Sequence, residues 1–194
     1  MSMFCYQCQE TARNTACTKR GVCGKNEIMA NLQDLLIHTL QGIAVFAENI
    51  DGALDRKYGV FTCQALFSTI TNANFDEDKM ADLIRKALTL RGELKELAGD
   101  ITAKELPDAA LWEAETKEGF NDKALEAGIL GYSSDEDARS LKSLLLYGLK
   151  GIAAYTEHAA VLGFYNDEIF SFLYKSLAAI TKDLTADELT ALVL

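Results

Sequence analysis

The chain has 194 residues, a formal net charge of −10 and a single proline. An acidic chain is repelled by nucleic-acid phosphates and anionic lipids, and no apolar run approaches the roughly 18 residues of a membrane span, which excludes nucleic-acid and membrane partners. Because proline disrupts helix interiors and 49% of the residues are hydrophobic, the composition favours helices around a buried core.

The first predicted element is a cysteine-rich segment over residues 1–25. It contains Cys5, Cys8, Cys17 and Cys23, in the pattern C-x2-C-x8-C-x5-C. Four clustered thiols suit either zinc or an iron–sulfur cluster, and the spacing alone favours neither of the two. Structural zinc sites more often contain two C-x2-C pairs, whereas this chain has one, which favours iron.

The segment also indicates the compartment. It has no basic stretch followed by an apolar run, so we interpret the chain as cytoplasmic, where thiols stay reduced and a disulfide framework is disfavoured. Because residues 1–25 carry few apolar side chains, we expect their order to depend on bound metal.

An internal repeat organises the rest of the chain. Residues 32–48 (LQDLLIHTLQGIAVFAE) and 141–157 (LKSLLLYGLKGIAAYTE) share eight of 17 positions at an offset of 109. The offset continues without a gap, so that Phe61 corresponds to Phe170. A constant register over such a length indicates duplicated supersecondary units.

Each repeat unit is predicted to contain three helices. In the first unit, residues 26–97, apolar residues at helical spacing indicate helices over 32–48, 61–70 and about 78–97. Residues 98–132 form a connector. In the second unit, residues 133–194, the first and third helices are expected to start with capping boxes. The residue pairs of these boxes are Ser133 with Glu136 and Thr185 with Glu188.

The predicted fold is therefore all-α, with two tandem three-helix bundles of which the second is truncated. By the repeat offset, its third helix would reach about position 206, whereas the sequence ends at Leu194. We expect a fragment of a longer protein, whose apolar end around Leu189 and Leu192 seeks a partner, for example in a homodimer.

The remaining chemically active side chains are interpreted as structural. Cys63 lies in a predicted helix and is expected to be a core thiol. His38 and His158 are expected to pack or lie at the surface rather than bind metal. Glu48 and Glu157 occupy equivalent repeat positions, which suggests a bond to a neighbouring helix end rather than catalysis.

The motifs FCYQCQE (residues 4–10), GVCGK (21–25) and NLQDLL (31–36) resemble the hybrid cluster protein family, also called hydroxylamine reductases. The resemblance implies an N-terminal helical domain followed by two α/β domains. It also implies that the four N-terminal cysteines bind a cubane, of the 4Fe–4S type where the spacing is this short. The family reduces hydroxylamine to ammonia at a second, hybrid cluster and is linked to nitric oxide detoxification.

The resemblance implies that this chain alone lacks the substrate-reducing site, because only Cys63 remains after the cubane takes four cysteines. Its expected partners are the rest of the parent chain and an electron donor, either a ferredoxin or an NADH-dependent reductase. Two alternatives are a free-standing iron–sulfur electron carrier and a zinc-stapled helical interaction domain.

Overall fold

The computed structural model describes residues 3–71, 73, 75–99, 101 and 106–194. Within this described part the chain forms eight α-helices and no β-strand, which confirms the all-α prediction. The helices are α1 (Glu27–Glu48), α2 (Arg56–Ser68), α3 (Glu77–Ala98), α4 (Asp108–Leu111), α5 (Lys117–Ala124), α6 (Glu136–Val161), α7 (Asp167–Ile180) and α8 (Ala186–Val193).

Most helix starts follow from local sequence. Asn26 caps α1 by accepting a hydrogen bond from the Met29 backbone N–H at 2.8 Å. The predicted capping box of α8 is present, with the side chains of Thr185 and Glu188 each accepting from the other's backbone N–H. The predicted box at α6 is wrong, because Asp135 is the capping residue there.

Helix α2 is longer than the predicted second helix, and the described part of the connector contains two short helices. Helix α2 begins at Arg56 rather than at Phe61, since Asp55 caps it by accepting from the Lys57 N–H. The connector contains α4 and α5, which both pack on α1. The boundaries proposed for the repeat units and connector stay predictions.

The packing crosses between the two repeats. Helix α1 packs most extensively on α3 of its own unit and on α7 of the other. Helix α6 likewise packs on α8 of its own unit and on α2 of the other. Each unit therefore contributes its second helix to the first helix of its counterpart, and the two units share one apolar core.

Side-chain contacts also join the two units. The rings of Phe67 on α2 and His158 on α6 meet edge to face, with centroids 5.3 Å apart. At the start of α2, Arg56 pairs with Asp167 of α7 at 3.0 Å. Gly59 of α2 lies directly against the ring of Phe170, so that a Cβ there would come within 2.3 Å of the ring.

We expect Gly59→Ala to destabilise the protein by about 1–3 kcal/mol, because the added methyl overlaps Phe170 where α2 meets α7. Urea unfolding followed by circular dichroism measures the loss. Gly92→Ala is the matched control on α3, where a Cβ meets nothing within 4 Å, and it should stabilise by up to about 1 kcal/mol. Equal effects of the two substitutions would contradict the close packing of α2 on α7.

Most apolar side chains of helix α8 pack against the core. Leu189 is fully buried, and Leu192 and Val193 pack partly buried against the core, while Leu194 is fully exposed. The expected partner for this apolar end stays a prediction. Among the helices described, none combines the length and apolar character needed to cross a membrane.

Candidate metal centre

The cysteine segment folds back on itself through Cys5 and Cys17. Their backbones exchange two hydrogen bonds, each 3.0 Å long, as an isolated antiparallel bridge. Both side chains are buried with Met3 and Ala30 in a small apolar cluster against the start of α1. The bridge brings the first and third predicted ligands together although eleven residues separate them in the sequence.

Backbone donors surround the Cys17 sulfur. The Ala12 N–H donates to Cys17 Sγ at 3.4 Å, from a short 3₁₀ turn over Ala12–Asn14. Burial raises the pKa of Cys17, but hydrogen bonds from the backbones of Ala12 and Val22 outweigh it, so the pKa lies below its ordinary value. Such donors stabilise a thiolate, which is the form that binds metal.

The tight turn around Cys23, from Gly21 to Gly24, requires glycine. Gly24 has a φ of +92°, in the left-handed region that side chains disfavour. A Cβ on Gly21 would come within 2.9 Å of Cys23 Sγ. The two glycines that flank Cys23 therefore let the chain turn closely around this thiol.

A buried polar network lies beneath the cysteines. Lys25, which is only 1% exposed, donates from Nζ to Gln7 Oε1 at 2.9 Å. Gln7 in turn donates from Nε2 to Asp34 Oδ1 at 2.6 Å and to the Ala30 carbonyl at 3.1 Å. Gln7 stands between Cys5 and Cys8 in sequence, so the network ties the cysteine turn to α1.

A second buried cation approaches from α6. Lys150 is 2% exposed, and it lies with Asp34 and Tyr132 around a small cavity. Burial lowers the pKa of Lys150 to about 8, against the opposing attraction of Asp34. Burial raises the pKa of Asp34 to about 6, against the hydrogen bond from Gln7 and the charge of Lys150.

The raised pKa of Asp34 predicts a pH dependence of stability. The folded value of about 6 lies above the ordinary value of 3.8, so the folded protein holds this proton more tightly. Its contribution is fully present below about pH 4 and is lost as the pH rises through about 6. Relative to Asp34→Asn, the wild type should lose about 2–3 kcal/mol between pH 4 and 7.

Urea unfolding of both proteins at several pH values measures this difference. The amide that replaces the Asp34 carboxyl would keep an oxygen for the Gln7 hydrogen bond, so the variant isolates the charge. Glu118→Gln, on the exposed surface of α5, is the control and should follow the wild type. Parallel stability curves for wild type and Asp34→Asn would contradict the prediction.

The chain is similar to several known proteins. Residues 3–194 match the model of the Prismane/CO dehydrogenase family. The chain belongs to this family. Its relatives include a protein named hydroxylamine reductase in Chlorobaculum tepidum, 53% identical over 99% of this chain and 35% of the relative. Proteins of the same name in Desulfosudis oleivorans and Desulfitobacterium hafniense are 48% and 50% identical, with 36% of each covered.

The chain thus spans about a third of the length of these relatives. Membership of the Prismane family implies an iron–sulfur cofactor. The donor set fits such a group, because all four N-terminal cysteines are free thiols with buried cations close by.

The structure pairs two of the four predicted ligands, Cys5 and Cys17, but among the described residues it does not gather the set around one point. Cys8 lines a cavity of about 700 Å³ between the cysteine segment and α6, which also touches Tyr6 and Tyr147. Within the described residues, no three or more His, Cys, Asp or Glu side chains are gathered closely enough to hold a metal ion. The assignment of Cys5, Cys8, Cys17 and Cys23 as ligands stays a prediction.

The residues interpreted as structural lie away from this centre. Cys63 is fully buried, and burial raises its pKa to about 12, as expected for a core thiol. His38 pairs with Asp108 of α4 at 2.9 Å. Glu48, at the end of α1, pairs at 2.8 Å with Lys182 just after α7, which is the bond to a neighbouring helix end that its repeat position suggested.

Proposed function

We propose that this chain is the N-terminal, electron-accepting and scaffold part of a hydroxylamine-reductase-like enzyme. Cys5, Cys8, Cys17 and Cys23 would bind a 4Fe–4S cluster. The observation that carries this proposal is the match of the whole chain to about a third of proteins named hydroxylamine reductase, at about 50% identity. The cysteine-rich turn and its buried cations support it.

When bound, the cluster would supply one-electron transfer, and the chain's own residues would control its surroundings. Donors on Cys17 favour its thiolate. Lys25 and Lys150 place positive charge beneath the thiols, which would offset the negative charge of a cluster and raise its reduction potential. Gln7 holds Lys25 in place, and the apolar cluster around Met3 limits water.

Reduction of hydroxylamine would take place elsewhere in the parent enzyme. After four cysteines are committed, Cys63 is the one that remains, and it is fully buried on α2 with a raised pKa. Such a thiol neither reaches solvent nor forms a thiolate readily. The parent's link to nitric oxide detoxification and its electron donor, a ferredoxin or an NADH-dependent reductase, belong to the same proposal.

The test is metal analysis of protein purified without oxygen from the cytoplasm of a host that makes iron–sulfur clusters. We expect a brown protein with about four irons and four sulfides per chain. A colourless protein with one zinc would support the zinc-stapled interaction domain instead. About two irons and two sulfides per chain would indicate a 2Fe–2S cluster instead of the cubane.

The redox role predicts an effect of Lys150 on the bound cluster. Lys150→Met removes a buried positive charge close to Cys5 and Cys8, so the reduction potential should fall by on the order of 50–100 mV. Protein film voltammetry measures the shift. Lys175→Met, an exposed lysine on α7, is the control and should leave the potential unchanged. Equal potentials for the two variants would contradict the tuning role.

One observation favours a second candidate, the free-standing electron carrier. A self-contained module should bury its own apolar C-terminal helix, and Leu189 of α8 is indeed fully buried against the core. Reversible electron exchange between the purified chain and a separate redox protein, at rates unaffected by the rest of the parent, would support this carrier.

A further inference from the structure

One face of α6 is apolar and exposed. It carries Leu144, Tyr147, Ile152 and Tyr155, which are 54%, 41%, 36% and 82% exposed. With Gly148 and Gly151 they recur at intervals of three and four residues, and we call these six residues the α6 stripe. A contiguous apolar stripe on an amphipathic helix marks an interaction surface.

The repeat identifies the same stripe on α1, where it is buried. Leu144, Ile152 and Tyr155 correspond, at the offset of 109, to Leu35, Ile43 and Phe46. These three side chains of α1 are 0%, 0% and 1% exposed. Two further elements, α4 and α5, pack on α1 and come from the chain that follows the third helix of the first unit.

Gly42 on α1 and its repeat counterpart Gly151 on α6 have different surroundings. A Cβ on Gly42 of α1 would come within 2.0 Å of the Ala109 carbonyl oxygen of α4, so α4 can approach only because this residue is glycine. Among the described residues, its counterpart Gly151 on α6 has no atom within 4 Å of the same position. The second repeat therefore presents the surface on which α4 sits in the first, and no described residue covers that surface at Gly151.

We infer that the α6 stripe is the docking surface for a segment of the parent chain that follows Leu194, the counterpart of α4 and α5. The repeat offset places this segment about 25–40 residues beyond Leu194. The relatives are about three times as long as this chain, which leaves ample sequence for it. The inference rests on the part of the proposed function that makes this chain one portion of a longer enzyme.

The repeat favours this occupant over a second copy of the chain. On α1, the equivalent stripe is covered by short helices whose backbone comes close enough to require Gly42. A second copy would have to bring together two chains of net charge −10, which repel each other. The aromatic side chains of Tyr147 and Tyr155 suit burial under a helical segment.

The experiment uses a chimera in which this chain is followed by the remaining residues of the Chlorobaculum tepidum hydroxylamine reductase. Hydroxyl-radical footprinting compares Tyr155 in the chimera and in the chain of 194 residues. We expect a several-fold lower oxidation of Tyr155 in the chimera. Tyr165, exposed in the loop between α6 and α7, is the internal control and should be oxidised comparably in both.

Two glycine variants make the test specific. Gly151→Ala should raise the unfolding midpoint of the chain by about 2 °C, because alanine favours a helix. In the chimera it should restore Tyr155 oxidation, because the added methyl group would block the close approach of the docked segment. Gly148→Ala is the matched control, since a Cβ there meets nothing within 4 Å and its counterpart on α1 is Thr39. It should raise the midpoint equally and leave Tyr155 protected.

Three results would overturn the inference: equal Tyr155 oxidation in chain and chimera, equal protection in both glycine variants, or protection in the chain alone that grows with concentration. The last would indicate contact between copies. If the chimera is insoluble, co-expression of the two parts as separate tagged chains replaces it, and failure to co-purify counts against docking. Iron content, measured in every sample, tests the proposed cluster independently.

Discussion

Replacing Cys17 with alanine is expected to reduce the iron content of anaerobically purified protein from about four to less than about one per chain. Cys17 is the cysteine whose thiolate the structure stabilises most clearly, through the backbone donors of Ala12 and Val22. Its bridge to Cys5 also places both residues at the same side of the turn. Loss of this ligand leaves three thiols, which hold a cubane poorly.

The matched control is Cys63→Ala. This cysteine of α2 is fully buried in the core, and the variant should keep its iron and its visible absorbance while losing about 1 kcal/mol of stability. Circular dichroism of both variants separates loss of the cluster from loss of the fold. Iron loss in the Cys63 variant with retention in the Cys17 variant would refute the ligand assignment.

The fold class and the cysteine cluster could be predicted because each has a local signature. Helical spacing of apolar residues identified the first helix of both units, and it placed the third helix of the first unit within one residue of the start of α3 at Glu77. The crossing of the repeats could not be predicted in this way. Periodicity indicates which face of α2 is apolar, but it does not say whether that face meets α1 or α6.

The polar network was missed for a different reason. Lysine is rarely buried, so Lys25 and Lys150 would ordinarily be assigned to the surface. Gln7 and Lys25 belong to the motifs that carried the family resemblance, yet nothing local indicates that they bond to each other across 18 residues. Lys150 stands where the first repeat has Gln41, and this break in the repeat was the available signal.

The second large effect on stability is expected at Arg91 of α3, which binds the connector. We expect Arg91→Met to reduce the free energy of unfolding by about 3–5 kcal/mol. Arg91 is 3% exposed and donates to the Ala109 carbonyl at 2.8 Å and to the Trp112 carbonyl at 2.6 Å. Methionine fills much of the same space but leaves both carbonyls of the α4 region without this donor.

This loss would be a large fraction of the stability of an ordinary domain, so the unfolding midpoint should fall by about 10 °C. Arg85→Met, on the same helix but exposed and paired with Asp82, should cost less than about 1 kcal/mol. Arg91→Lys keeps the charge with fewer donors and should fall between them. Equal losses of unfolding free energy for Arg85→Met and Arg91→Met would contradict this prediction. They would mean that apolar packing on α1, with the close contact at Gly42, holds α4 without the hydrogen bonds from Arg91.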